Sequence, residues 1–192
     1  VDKLSRWIRV ATAAPILAGC MLGVLYCCRP ELIGGAPPLQ WGLLCLTVLP
    51  LLAYPLQRYI PGFRDRGREG QRSLAMVFAV IGYLLGCAGN ALLRGTRAMW
   101  IVYTEYLLSG LLLLAVNKLI GKKASGHACG AAGPVALLCY FGVPALLPGA
   151  VLLVLVWWAS LHTGRHTSAQ LAGGTAVPLA ALLLIHLLSP LL

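Results

Sequence analysis

The sequence predicts an all-α integral membrane protein, a bundle of about seven transmembrane helices built by residues 1–192 as a single domain. Two observations carry this expectation. Hydrophobic residues make up 59% of the chain against 10% charged, and the mean hydropathy is +0.85. So little polar surface cannot cover a soluble globule of this length. The second observation is the placement of charge. The chain has a net charge of +10, but its basic residues sit between apolar runs. That pattern sets membrane orientation and suits an anionic ligand; no basic face is interleaved with exposed aromatics, so nucleic acid is not expected as a partner.

The elements follow in order. Lys3, Arg6 and Arg9 precede a first span over about 8–28. Further apolar segments follow it in place of a soluble domain, which favours a span over a cleavable signal peptide. Gly19 and Gly23 form a small-xxx-small pair that would let another helix approach closely. Residues 29–40 carry Pro30, Gly34, Gly35, Pro37 and Pro38 and read as a loop. A second span, about 41–59, contains Pro50 and Pro55, which should kink or locally unwind it. The stretch from Pro61 to Arg72 is the most polar of the chain and reads as a loop at the membrane surface.

A third span covers about 73–93, with Gly82, Gly86 and Gly89 as a small face. The fourth, about 100–120, holds Glu105, whose carboxylate should face protein or water. The remaining spans are expected at about 127–146, 149–162 and 168–191, the sixth being short for a ~30 Å hydrocarbon core. Trp157 and Trp158 read as interface anchors and His186 as a packed or interfacial histidine. Of the seven cysteines, Cys20, Cys45, Cys87, Cys129 and Cys139 lie inside apolar segments and Cys27 and Cys28 are adjacent, so they read as small packing residues and not as disulfides or metal ligands.

Orientation follows from the cations. With the amino terminus inside, one side holds Lys3, Arg6, Arg9, Arg58, Arg64, Arg66, Arg68, Arg72, Lys118, Lys122, Lys123 and Arg165, and the other Arg29, Arg94 and Arg97. Twelve against three, or eight against three without Lys118, Lys122, Lys123 and Arg165, places the amino terminus in the cytoplasm and the carboxy terminus outside, in a bacterial inner (plasma) membrane.

Two polar clusters then share the cytoplasmic face: Lys122-Lys123-Ala124-Ser125-Gly126-His127 and His162-Thr163-Gly164-Arg165-His166-Thr167-Ser168-Ala169-Gln170. Ser125 and Gly126 stand where a helix begins, and a helix start offers unpaired N–H groups to an anion. Lys118, Lys122 and Lys123 add positive charge nearby. His166 and Gln170, spaced i, i+4, share a helix face, so the amide can hold the imidazole in one tautomer. A phosphate site with one attacking histidine and one that protonates the leaving oxygen would use these pieces. His162 and His166 are also i, i+4, yet no carboxylate or further histidine follows at metal-ligand spacing.

Lys123-Ala124-Ser125-Gly126-His127, followed about forty residues later by Gly164-Arg165-His166-Thr167 with Gln170 and Gly174, resembles the type 2 phosphatidic acid phosphatase superfamily of membrane lipid phosphatases. Its motifs are commonly written K-x6-R-P, P-S-G-H and S-R-x5-H-x3-D, and the resemblance covers roughly residues 64–192. It implies a six-helix core and metal-independent hydrolysis without a cofactor. His166 would be the nucleophile that becomes a phosphohistidine and His127 the general acid. Gln170 stands where most members have Asp, as in the H-T-x-x-Q variant of dolichyl pyrophosphate phosphatases. Lys118, Lys122, Lys123, Ser125, Gly126 and Arg165 would bind phosphate. Two departures stand out: no Arg-Pro follows the lysines, and the third motif's Ser-Arg falls on Ala159 and Ser160. Arg165, His162 or a lysine would then supply part of the missing charge.

The expected function is hydrolysis of a lipid phosphomonoester or diphosphate, polyprenyl or phosphatidic-acid-like, at the cytoplasmic leaflet, with the lipid phosphate and membrane lipids as partners. The alternative is a non-hydrolytic protein that binds or moves a lipid phosphate.

Overall fold

The computed structural model describes residues 2–119 and 124–188. Every regular element there is helical. In chain order these are α1 (Asp2–Ala11), α2 (Ala14–Cys28), α3 (Pro30–Ile33), α4 (Ala36–Leu43), a π turn (Leu44–Val48), α5 (Leu49–Leu56), short 3-10 turns at Gln57–Tyr59 and Arg64–Arg66, α6 (Gly67–Leu92), α7 (Arg97–Leu119), α8 (Gly126–Tyr140), α9 (Leu146–His162) and α10 (Ser168–Leu188). The chain divides into two compact units, Leu22–Tyr103 and the remainder, Val1–Met21 with Thr104–Leu192.

Among the described residues four stretches are long and apolar enough to cross a membrane: Ala36–Tyr59, Arg64–Leu92, Arg97–Lys118 and Ser168–Leu188. The bent pair Lys3–Ala11 and Ala14–Cys28 makes a fifth if it is one span. This is a multi-span helical membrane protein. The first span departs from the expected straight run over 8–28: the helix breaks after Ala11 and turns by 53°. Pro15 explains the break, because a proline lacks the N–H for the i−4 bond and its ring clashes with that carbonyl, here the one on Ala11. α8, 15 residues long, stops at Tyr140, short of the expected 146, and α9 has 17 residues.

The Leu22–Tyr103 unit is built by close approach at glycines. A Cβ on Gly82 would strike the Cys45 carbonyl oxygen, on Gly86 the Tyr103 ring, and on Gly89 the Trp41 indole. The small face expected on this helix is therefore used, and Trp41 Nε1 donates to the Leu85 carbonyl at 3.1 Å beside it. Gly23 makes no such approach, since nothing lies within 4 Å of its Cβ position. Residues 29–40 are more helical than expected. Pro37 and Pro38 lie in the first turn of α4, where no N–H is needed, and the break is confined to Gly34 and Gly35, with φ of 86° and 113°. Pro50 is absorbed by the π turn just before it, and the helix runs on to Tyr59. The polar loop is shorter than expected, because α6 already starts at Gly67.

In the other unit α8 packs against α10 and α9, and α1 packs against α9. α8 approaches the start of α2 closely, since a Cβ on Gly130 would collide with Ala14. Glu105 faces protein, as expected. It is 1% exposed, its Oε1 accepts from Ser109 Oγ at 2.8 Å, and Gly133 of α8 leaves room for the carboxyl. Trp157 donates to Thr175 Oγ1 at 3.3 Å, and His186 pairs with the Tyr140 hydroxyl at 3.3 Å.

Candidate functional site

The two His-bearing clusters meet, and Gln170 joins them. Its backbone carbonyl accepts the Ser125 N–H at 2.8 Å, which docks the start of α8 on the start of α10. Its side-chain Oε1 accepts from His166 Nδ1 at 3.0 Å. The contact is tight enough that a Cβ on Gly174, one turn further along α10, would run into the Ser125 backbone oxygen.

Thr167 and Gln170 form a capping box at the start of α10. The Gln170 N–H donates to Thr167 Oγ1 and the Thr167 N–H donates to Gln170 Oε1, each at 3.4 Å. A backbone N–H can only donate, so the amide must present its oxygen here. The bond to His166 is then donated by Nδ1–H, which leaves the lone pair on Nε2. Gly164, with φ of 60°, makes the turn that carries the chain from α9 to this cap.

His127 stands in the first turn of α8, behind a cap of the usual kind: Ser125 is fully buried and its Oγ accepts the Ala128 N–H at 3.3 Å. The ring nitrogen Nε2 lies 3.0 Å from Thr12 Oγ1. That hydroxyl also lies 2.7 Å from the Ile8 carbonyl, to which it must donate its single hydrogen. His127 Nε2 therefore donates to Thr12, and Nδ1 is the nitrogen where this ring gains and loses its proton. Arg9 and Arg165 lie near enough for their charges to act on the His127 ring, and His166 is a further neighbour of it.

Position 160 is occupied in an unexpected way. Ser160 is fully buried near the end of α9, and its Oγ accepts from Arg9 Nη1 of α1 at 3.1 Å. Arg165 lies in the turn after α9, exposed, with its N–H on the Ser160 carbonyl at 3.2 Å. Arg9 and Thr12 are the residues that sequence reading missed. They lie 151 and 115 positions from their partners, and the charge of Arg9 had an adequate explanation as a membrane-edge cation.

Of the other expected phosphate ligands, Gly126 opens α8, with only a Leu113 side-chain carbon, at 3.4 Å, near its Cβ position among the described residues. Lys118 is exposed in the last turn of α7 and takes no part in the hydrogen bonds that join the clusters. Asn117 beside it accepts the Ala124 N–H at 2.6 Å and so ties the end of α7 to the start of α8. Lys122 and Lys123 lie outside the described residues. His162 stacks on Trp158, with ring centroids 5.4 Å apart. Among the described residues no group of three His, Cys, Asp or Glu side chains converges in the manner of a metal site.

No family model, no curated protein and no solved structure matches this chain.

Proposed function

We propose that this protein is a membrane lipid phosphatase, a divergent relative of the type 2 phosphatidic acid phosphatases. It would hydrolyse a lipid phosphomonoester or diphosphate, polyprenyl or phosphatidic-acid-like, at the cytoplasmic face of a seven-span bundle. The observation that carries this reading is the position of Gln170, which fixes His166 as the Nδ1–H tautomer while its carbonyl holds the start of α8, and with it His127, alongside.

In the first step His166 Nε2 attacks phosphorus. A P–N bond forms, the bond from phosphorus to the lipid oxygen breaks, and protonated His127 gives its Nδ1 proton to that oxygen, releasing the lipid alcohol or lipid monophosphate. Water then attacks the phosphohistidine and loses a proton to His127, and inorganic phosphate leaves with the His166 lone pair restored. Thr12 keeps the His127 ring in register throughout. Gln170, a neutral acceptor, orients His166 without adding a negative charge beside the incoming phosphate. Ser125, Gly126 and Arg165, with Lys118, Lys122 and Lys123, supply N–H groups and positive charge.

Phosphate release from phosphatidic acid, polyprenyl phosphate and polyprenyl diphosphate by the detergent-purified chain tests the reading. The expected result is turnover through an acid-labile, base-stable phosphoenzyme that is absent in His166→Ala. Turnover that persists in His166→Ala would sink it. Ser160 favours a second reading, a protein that binds lipid phosphate without turnover, because the buried serine cannot itself carry an arginine's charge. Phosphate-dependent stabilisation without hydrolysis of any of the three lipids would select it.

A further inference from the structure

We propose that Arg9 is a ligand of the substrate phosphate, delivered by α1 to the place where Ser160 stands. Arg9 takes this role on the reading of the site as a phosphate site; its identity as a ligand comes from the geometry of α1.

A cation that merely marks the cytoplasmic edge of the membrane should project outward, as Lys3 and Arg6 on the same helix do, both being exposed. Arg9 does the opposite. Ser5 and Thr12 are buried and Ile8 and Arg9 half-buried, so the i, i+3, i+4, i+7 face of α1 that turns into the protein is mainly its polar one. Leu4, Trp7 and Val10, at 57%, 72% and 62% exposure, face out.

That face meets the candidate site at two points. Thr12 holds His127 by Nε2, and Arg9 reaches the buried Ser160 hydroxyl with Nη1. Charge points the same way. Arg9 and Arg165 bring positive charge to bear on His127, whereas the acidic residues of this unit in the sequence are Asp2 and Glu105. Glu105 is occupied with Ser109 inside the helix packing. Arg9 and Arg165 both act as positive charges on the His127 ring, and positive charge of this kind attracts an anion. A guanidinium carries its N–H donors in a planar fork, and one of those on Arg9 reaches the Ser160 hydroxyl. The fork matches two oxygens of a phosphate, which serine and lysine cannot do. Ser160 thereby serves as the seat of the arginine and not as its replacement.

The experiment uses the full chain in detergent with phosphatidic acid as turnover substrate and inorganic phosphate as binding probe, read by protection against thermal unfolding. Arg9→Ala is expected to lower kcat/KM by about 10²-fold, the scale of a lost oxyanion donor, and to abolish protection by phosphate. Arg9→Lys keeps a charge but not the fork and should lose about tenfold at an unchanged melting temperature. The double variant Arg9→Ala/Ser160→Arg should recover at least about tenfold over Arg9→Ala, because the guanidinium then comes from α9. If Arg9→Lys and Arg9→Ala both match wild type in turnover and protection while His166→Ala is dead, the role of Arg9 is wrong and the phosphatase reading stands. If Arg9→Ala does not fold, wild-type kcat/KM in Arg9→Lys alone overturns the role. A wild-type chain that neither hydrolyses the lipid nor responds to phosphate overturns both.

Discussion

The two units differ in what they do with one cation. In Leu22–Tyr103, Arg64, Arg66, Arg68 and Arg72 crowd into nine residues, and all four are exposed. The Arg64–Asp65 pair there, 3.1 Å apart, has side chains 61% and 81% exposed, so it contributes little. In the other unit a single arginine, Arg9, is drawn half inside, set against buried Ser160 and close enough for its charge to act on His127. Charge density along the chain marks the first region, whereas burial of polar groups marks the second. Removing a polar group from water costs free energy unless it is partnered, so a cluster of partnered, half-buried polar side chains reports a local requirement that a solvated loop does not.

The largest expected effect tests this contrast directly. His166→Ala should reduce phosphate release by about 10⁴-fold or more, since loss of a covalent nucleophile leaves only residual binding and electrostatics. Neutralising Arg64, Arg66, Arg68 and Arg72 together by glutamine should change kcat/KM by less than about twofold, because exposed charges are screened by salt within ~10 Å. Phosphate-release assays on both variants side by side would break the comparison if the glutamine variant fell by more than tenfold.

Arg165 comes next. It is exposed, whereas Arg9 is half-buried, so its contribution should be the smaller of the two. Arg165→Ala is expected to lose about tenfold in kcat/KM, roughly 1.4 kcal/mol of transition-state stabilisation. An Arg165→Ala loss as large as that of Arg9→Ala would mean that exposure is the wrong criterion for ranking these cations.

Glycine packing sharpens the comparison further. Gly174 and Gly82 each abut a backbone oxygen, of Ser125 and Cys45 respectively, which cannot move aside as a side-chain tip can. Alanine at either should cost about 1–3 kcal/mol by overpacking, seen as a lower midpoint in detergent unfolding. Gly174→Ala should also reduce turnover, because it separates α10 from the start of α8, while Gly82→Ala should spare the activity of the protein that remains folded. Gly173→Ala is the matched control. Among the described residues its Cβ would meet only the Ala124 Cβ at 3.7 Å, an ordinary contact, and helix propensity then makes the change neutral or stabilising. Equal losses at 173 and 174 would show that the Ser125 contact is not the cause.

These residues also show what the sequence can and cannot reveal. The small face of Gly82, Gly86 and Gly89 was legible because it depends on helical spacing within one element, and the inward Glu105 because a carboxylate is costly in lipid. The spacing of His166 and Gln170 also announced their pairing, but not on a shared helix face as expected: His166 stands before α10, and the bond is made across the helix cap. The break between α1 and α2 was missed although Pro15 announces it, since hydropathy averaged over a span hides a local missing N–H. Helix within residues 29–40 was missed because Pro37 and Pro38 look like breakers until the start of α4 is known, and there they are compatible with the first turn. Arg9 and Thr12 could not be found by any periodicity: their partners are more than a hundred residues away, and only tertiary packing supplies the contacts, of α1 on α9 for Arg9 and of the end of α1 on the start of α8 for Thr12.

The smallest expected effect concerns Ser125, where two roles overlap. Its Oγ accepts the Ala128 N–H, so it caps α8, and the same hydroxyl retains a hydrogen that a phosphate oxygen could accept. Removing a cap of this kind costs about 1 kcal/mol of stability. Losing one neutral hydrogen bond to the ligand costs a comparable amount of binding, about fivefold. The two are separable because they appear in different measurements. Ser125→Ala should lower the unfolding midpoint slightly and raise KM about fivefold with kcat little changed, whereas Ser125→Thr, which keeps the hydroxyl, should restore KM even if its extra methyl strains the buried position. A lower midpoint in Ser125→Ala with KM untouched would make Ser125 a cap alone, and the contribution of this helix start to the anion would then come from its backbone N–H groups and Gly126.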